Sequence, residues 1–315
     1  MNINSDRRIP PMKAIKESHF GIARKIVANM TTESWETIPH SSFIYEPEVS
    51  KFLDVLKKLN ESGKFPTKIT INTIMLKAFA EAFKAAPQLN AHIEFNRKLV
   101  RGKVTQWDEV HAGMTWLLPN GEMMTINLHD IGNKSLVELT QHVADTTKKI
   151  NNTNFTEVMF EVSFNDTIEK LKKGKIMKAV YRLIGAKTGK HKIKTLSGQA
   201  KKDYYAIPES DRITPADIKQ GTVTISNVGP LIRGVNGRVA LLSIIPPQVF
   251  VCCYGSVMKK PVVKQDENGN DIIVVGNELP IDLCFDHRAV DFGDVVPFIQ
   301  RLEDIFNNPE QMFEW

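Results

Sequence analysis

Leu279-Pro280-Ile281-Asp282-Leu283-Cys284-Phe285-Asp286-His287-Arg288-Ala289-Val290-Asp291 alternates up to Phe285 and then turns polar. Alternation of this kind predicts a buried strand. A helix is predicted soon after, from about Gly293 to Asn307. His287 therefore stands at a strand end, rigidly held yet able to open onto a cleft. A neutral imidazole there can take a proton from a thiol or a hydroxyl. Asp291, four residues on, falls where the chain turns into the helix, placed to hold the turn or neutralise a cation. Taken by itself, an HxxxD spacing indicates nothing beyond a hydrogen-bonded structural histidine.

Upstream lies Thr222-Val223-Thr224-Ile225-Ser226-Asn227-Val228-Gly229, a β-branched strand ending in a small polar pair and a glycine. A serine at a strand end can aim its hydroxyl at a developing oxyanion. In isolation the segment reads rather as an ordinary strand-to-turn exit, with Ser226 and Asn227 satisfying backbone groups.

The bulk numbers narrow the classes. The chain has 315 residues, 42% hydrophobic and 24% charged, which is ordinary globular composition. It has no apolar run approaching the roughly 20 residues of a membrane helix. Met1 to Pro11 carries Arg7-Arg8 and no apolar core, so no secretory signal is read there and a cytoplasmic location is expected. Cys252, Cys253 and Cys284 all lie in apolar runs without CxxC or paired-histidine spacing. They are expected to be buried and reduced, with no metal bound. The net charge of +5 is uneven: eleven Lys and one Arg against one Asp and one Glu between Asp166 and Lys202 give a local +10, leaving −5 elsewhere. A nucleic-acid role for the whole chain is not implied.

Helices are predicted over Ile15–Asn29, over Lys51–Leu59 after a Ser50 cap, from Thr70 to just before Pro87, and over Leu136–Ile150 after a Ser135 cap. Strands are predicted at 42–47, 91–95, 111–118, 123–128, 222–227, 248–254, 271–275 and 279–285, with Leu118-Pro119-Asn120-Gly121 as a turn. From Asn151 to Pro208 the pattern degrades. A broken basic helix is expected over Thr167–Leu183, interrupted at Gly174, then a Lys- and Gly-rich loop. The whole, 1–315, reads as a single α/β domain carrying a basic insertion at about 151–208.

The strand ending Thr-Ile-Ser-Asn-Val-Gly, about sixty residues before Phe-Asp-His-Arg-Ala-Val-Asp, resembles the catalytic domain of the acyltransferase components of 2-oxo acid dehydrogenase complexes. These dihydrolipoamide acyltransferases group with the chloramphenicol acetyltransferases. Ile22-Ala23-Arg24-Lys25, Ile38-Pro39-His40, Lys77-Ala78, Pro87-Gln88-Leu89-Asn90-Ala91, Pro119-Asn120-Gly121, Lys134-Ser135-Leu136, Ile245-Pro246-Pro247-Gln248 and Asn308-Pro309 also follow that family's order. The resemblance implies a two-layer α/β sandwich with a mixed sheet, assembled as a trimer or larger cage. It implies acyl transfer between a CoA or lipoyl thioester and a thiol, hydroxyl or amine acceptor. His287 would be the general base and Ser226 the oxyanion donor, contributed by neighbouring chains, with Asp291 positioning the loop. Asn227, Phe292 and His40 are the expected substrate-side residues. Acyl-CoA is expected as substrate, with a lipoyl group only in trans and no metal.

Three departures qualify the resemblance. Phe292 stands where the family has Gly after the Asp, which reshapes the loop beside His287 and leaves an inactive scaffold on the same fold as the alternative reading. The catalytic part begins by Ile15, with no lipoyl or subunit-binding domain before it, so a free-standing acyltransferase is expected. The basic segment replaces a short linker and is open to several readings: a solvated surface, a lid, or contact with CoA phosphates, an acidic partner or an anionic membrane. His19-Phe20 replace a basic pair, leaving Arg24 and Lys16 as candidate partners for Asp291.

Overall fold

In a computed structural model, residues 13–315 are described except 66, 119, 120, 122, 173, 175 and 220. The expected turn at Pro119-Asn120 falls outside the described residues. The helices are α1 Ile22–Thr37, α2 Ser50–Glu61, α3 Ile71–Ala85, α4 Leu136–Asn151, α5 Phe155–Lys172, α6 Ile176–Lys187, α7 Gly198–Ala206, α8 Pro215–Ile218 and α9 Phe292–Asn307. The strands are β1 His40–Tyr45, β2 Ala91–Asn96, β3 Arg101–Gln106, β4 Ala112–Leu117, β5 Met123–Leu128, β6 Val223–Asn227, β7 Phe250–Tyr254, β8 Met258–Gln265, β9 Asp271–Glu278 and β10 Ile281–Asp286.

A six-stranded sheet has the order β1-β10-β7-β6-β4-β5. Strands β4, β6 and β7 run parallel to one another, and the remaining neighbours pair antiparallel, so the sheet is mixed. Hairpins β2–β3 and β8–β9 form two separate two-stranded sheets. Helices α2, α3, α4 and α9 cover one face of the large sheet through a continuous apolar core. Its centre is aromatic: Phe83 meets Phe250 and Phe298 edge-on, and Phe79 stacks on Phe298. All four rings are fully buried, and truncating any of them to Ala would cost ~3–5 kcal/mol.

Local signals explain several boundaries. The Thr70 side chain accepts the Thr73 amide and starts α3. Ser135 and Glu138 form a reciprocal capping box at α4. Ser50 is not the cap of α2; it is the first helical residue, and its amide donates to Glu48. The first helix runs from Ile22 rather than Ile15, whose side chain is fully exposed. Between 151 and 208 the chain is largely helical, and the break falls at Gly174, whose φ of +73° suits glycine. Here the expected broken helix became two, α5 and α6, with α6 running on to Lys187 inside the loop expected over Gly185–Gly198, and α7 formed just beyond that loop. The C-terminal tail packs on its own chain: Met312 is buried and the Trp315 carbonyl accepts the Leu136 amide.

The second face of the sheet is covered near β10 and β1 by the segment 238–247. Ser42 donates to the Ala240 carbonyl, the Leu242 amide to Cys284 Sγ, and the Ile244 amide to His40 Nε2. Every residue of β10 is therefore buried, including the polar Asp282 and Asp286.

Candidate active site

His287 follows the last residue of β10, and its amide donates to the Pro39 carbonyl at 3.1 Å. Beneath it Asp286, fully buried, is clamped by Arg288: Nε reaches Oδ1 at 3.0 Å and Nη2 reaches Oδ2 at 2.6 Å. The Arg288 guanidinium lies over Phe95, 5.9 Å from the ring centre. A buried carboxylate left unpaired is costly, so this fork fixes the backbone on both sides of His287. Sequence reasoning passed over Asp286 and Arg288; their position two apart, flanking the histidine, was the available signal.

The imidazole itself is half exposed. Its Nδ1 lies 3.2 Å from Asp291 Oδ1. With the carboxylate at Nδ1, that nitrogen carries the proton and Nε2 presents the lone pair. Asp291 is 82% exposed, so it acts by orienting the ring and adds little stability. Its own amide is held by Asp294 at 2.8 Å, at the start of α9. Neither Arg24 nor Lys16 is salt-bridged to Asp291 among the described residues.

Phe292 is the first residue of α9. Its ring meets Phe43 edge-on at 5.3 Å and Phe285 at 6.3 Å, and Phe285 lies 5.7 Å from the His287 ring. The side chain remains 44% exposed, so it makes an aromatic shelf beside the imidazole. His40 is engaged at both nitrogens: Nδ1 pairs with the Ile38 carbonyl at 2.9 Å, leaving Nε2 to accept the Ile244 amide at 3.1 Å. Stacked on Trp35, with burial lowering its pKa, it braces the wall of this end of the sheet.

Ser226 sits on β6 at the other end. Ile225, Cys252 and Leu283 point into the helix-covered core, so their neighbours Ser226, Cys253 and Asp282 line the second face. Thr115 Oγ1 lies 3.2 Å from Ser226 Oγ and is a partner the sequence did not flag. Asn227 is committed within the chain: its Nδ2 donates to Asn72 Oδ1, and its Oδ1 accepts the Gly229 amide at 2.8 Å. The Tyr254 hydroxyl also donates to Asn72 Oδ1, at 2.5 Å. Asn227 thus braces the strand exit behind Ser226. A Cβ at Gly229 would meet the Gly255 carbonyl oxygen at 2.8 Å, which explains the glycine.

The three cysteines are buried and free. Burial pushes the Cys253 thiol up to about 11 and the Cys284 thiol up to about 12, which removes them as nucleophiles near neutral pH. Burial likewise raises the Asp282 carboxyl, which accepts the Ser42 hydroxyl at 2.9 Å.

The strand register places the two catalytic candidates relative to one another. Ser226 is level with Cys253, and Cys253 with Asp282, near the start of β10. His287 lies five residues further along and two strands across, roughly 20 Å away at ordinary strand spacings. Within one chain the two groups stand at opposite ends of the sheet.

Residues 13–163 and 188–314 match the family described as 2-oxoacid dehydrogenases acyltransferase (catalytic domain). The dihydrolipoyllysine-residue acetyltransferase component of the pyruvate dehydrogenase complex of Rickettsia prowazekii is 24% identical over 92% of this chain. The chain spans about half of that relative's length, 53%. Among solved structures, the dihydrolipoamide acetyltransferase of Azotobacter vinelandii superposes with a TM-score of 0.62 at 18% identity, covering 97% of this chain and 98% of that one. A probable dihydrolipoamide acetyltransferase of Listeria monocytogenes gives 0.60 at 16% identity, covering 93% and 94%. The mixed sheet with helices on one face is thus the fold of those cores, and the chain belongs to the 2-oxoacid dehydrogenase acyltransferase catalytic-domain family.

Proposed function

We propose that this chain is an acyltransferase whose sites form between copies of the chain, with His287 from one and Ser226 from its neighbour. The observation that carries this reading is the roughly 20 Å between the two groups within a chain, far beyond the hydrogen-bond reach that shared chemistry needs. Each chain therefore carries two half-sites, one at each end of its sheet. A closed ring of three satisfies every half-site with one repeated contact. The solved relative from Azotobacter vinelandii supports the roles: a Ser, a His and an Asn four residues after the His are named for its catalytic mechanism. Here Asp291 takes the Asn position, with its carboxylate on Nδ1.

The acyl donor is a CoA or lipoyl thioester and the acceptor a thiol, hydroxyl or amine. His287 Nε2 removes the proton from the acceptor, whose sulfur, oxygen or nitrogen attacks the thioester carbonyl carbon. The carbonyl oxygen becomes an oxyanion, which takes a hydrogen bond from Ser226 Oγ. Collapse breaks the carbon–sulfur bond, and the imidazolium returns its proton to the departing thiolate. The acyl group passes directly between substrates, with no covalent enzyme intermediate. The buried cysteines take no part, and Phe292 lines the path beside the imidazole.

The test is thiol release from a panel of acyl-CoAs with dihydrolipoamide and small amines or alcohols as acceptors. Wild type turns over at least one pair, and His287→Ala lowers kcat by ~10²–10⁴. If wild type and variant are equally inert across the panel, the chain is a scaffold on this fold and the proposal fails.

A further inference from the structure

The family match stops at residue 163 and resumes at 188. The unmatched stretch is the second half of α5 and all of α6, two helices that pack on one another with Gly174 between them. One side of α6 is anchored. Ala179 is fully buried, Arg182 pairs with Asp166 of α5 at 3.8 Å, and Lys25 of α1 donates to the Gly185 carbonyl at 2.8 Å.

The other side is bare. Ile176, Met177, Val180, Tyr181 and Ile184 are 59%, 63%, 41%, 66% and 51% exposed. At 100° per residue these positions fall within one arc of the helix. Leu171 near the end of α5 is also exposed. Scattered exposed apolar residues are normal, but five large ones gathered on one helix face form a contiguous arc of the kind that marks an interaction site. In sequence, residues 164–187 carry six lysines and one arginine against one aspartate and one glutamate.

We propose that this hairpin docks the protein onto an anionic lipid surface. Helix α6 lies in the headgroup plane, the apolar arc enters the acyl boundary, and exposed lysines such as Lys172 and Lys190 meet lipid phosphates. Three considerations select this occupant. The charge is complementary to an anionic bilayer, where each nearby Lys adds attraction. The cations are almost all Lys, whereas protein interfaces deplete Lys and favour Arg. A second copy in an isologous contact would set two like-charged hairpins against each other. Among the described residues no helix is long and apolar enough to cross a membrane, so surface attachment is the mode available to this hairpin. The inference stands apart from the chemistry at His287.

The experiment is sedimentation of the full chain with phosphatidylcholine vesicles, with and without phosphatidylglycerol, over a range of salt. Wild type pellets with the phosphatidylglycerol vesicles, and pelleting declines as salt rises. Tyr181→Asp with Ile184→Asp weakens binding at least tenfold, on the order expected for withdrawing two apolar side chains from the interface. Lys172→Glu with Lys190→Glu weakens it independently, by removing exposed charge without touching the arc. Circular dichroism and light scattering confirm fold and assembly size for both variants. Four results overturn the assignment: no pelleting with phosphatidylglycerol, pelleting unaffected by Tyr181→Asp with Ile184→Asp, a changed assembly size in that variant without lipid, or soluble polyglutamate binding that matches the vesicles. The third marks a chain–chain contact and the fourth an acidic protein surface.

Discussion

At the His287 end of the sheet, the reactive side chain is half exposed and steered by a carboxylate that is itself mostly in water, above a buried Asp286–Arg288 clamp. At the Ser226 end, the hydroxyl has Thr115 beside it, and a tight amide network of Asn72, Asn227 and Tyr254 holds the strand exit. In the proposed reaction the first end supplies a base free to move a proton. The second would hold a donor still, which is what oxyanion stabilisation requires, because a preorganised dipole needs no rearrangement during reaction. Neither end contains the other's group.

That division gives the largest expected effect. Ser226→Ala lowers kcat by ~10²–10³. The sharper experiment mixes it with His287→Ala by co-expression. If sites form between chains, random assembly rebuilds about a quarter of them, each joining an intact histidine to an intact serine from a neighbour. Activity then rises far above either variant alone. A mixture no more active than its parents would break the comparison by placing both groups in one chain's site.

A smaller effect separates the two supporting networks. Asn72→Ala removes the acceptor used by both Asn227 Nδ2 and the Tyr254 hydroxyl. Tyr254 is fully buried, and each stranded donor costs ~1–3 kcal/mol. Denaturant unfolding should register that loss, and thiol release should fall with it as Ser226 loses its backing. Asp291→Asn at the opposite end should alter stability by less than about 1 kcal/mol, since the pair it weakens is exposed. Equal stability losses from the two substitutions would remove the contrast.

The difference between the ends also sets what the sequence could disclose. Caps at Thr70 and Ser135 were legible because a cap is decided within four residues. The strands β6 and β10 were legible from their apolar pattern, and His287 and Ser226 stood out as candidates once taken as a pair. Strand β8 was not, because Lys259-Lys260-Pro261 interrupts its pattern and the hairpin is settled by pairing with β9. The first part of helix α5, before Thr167, was missed because its apolar residues make no clean stripe: α1, α6 and α8 all pack around the helix. The roughly 20 Å between His287 and Ser226 depends on strand register across β6, β7 and β10, which motif spacing along the chain does not encode. Asn72 and Thr115, far from either motif in sequence, reach the serine end only through that register and packing.

The smallest effect concerns acid stability at the histidine end. Burial lowers the pKa of His40, which braces the wall beneath His287, and burial also lowers His92 and His142. For a base whose folded pKa lies below its unfolded value, the unfolded chain binds more protons between the two. Stability is complete above the unfolded value near 6.5 and is lost as pH falls toward the folded value. The melting temperature should therefore decline as the buffer is taken from pH 7.5 to about 5. His40→Gln should flatten part of that slope, since glutamine cannot gain the proton that breaks the contact with the Ile244 amide. If His40→Gln left the slope unchanged, the proton-sensitive contact would have to be sought at His92 or His142 instead of the wall beneath His287.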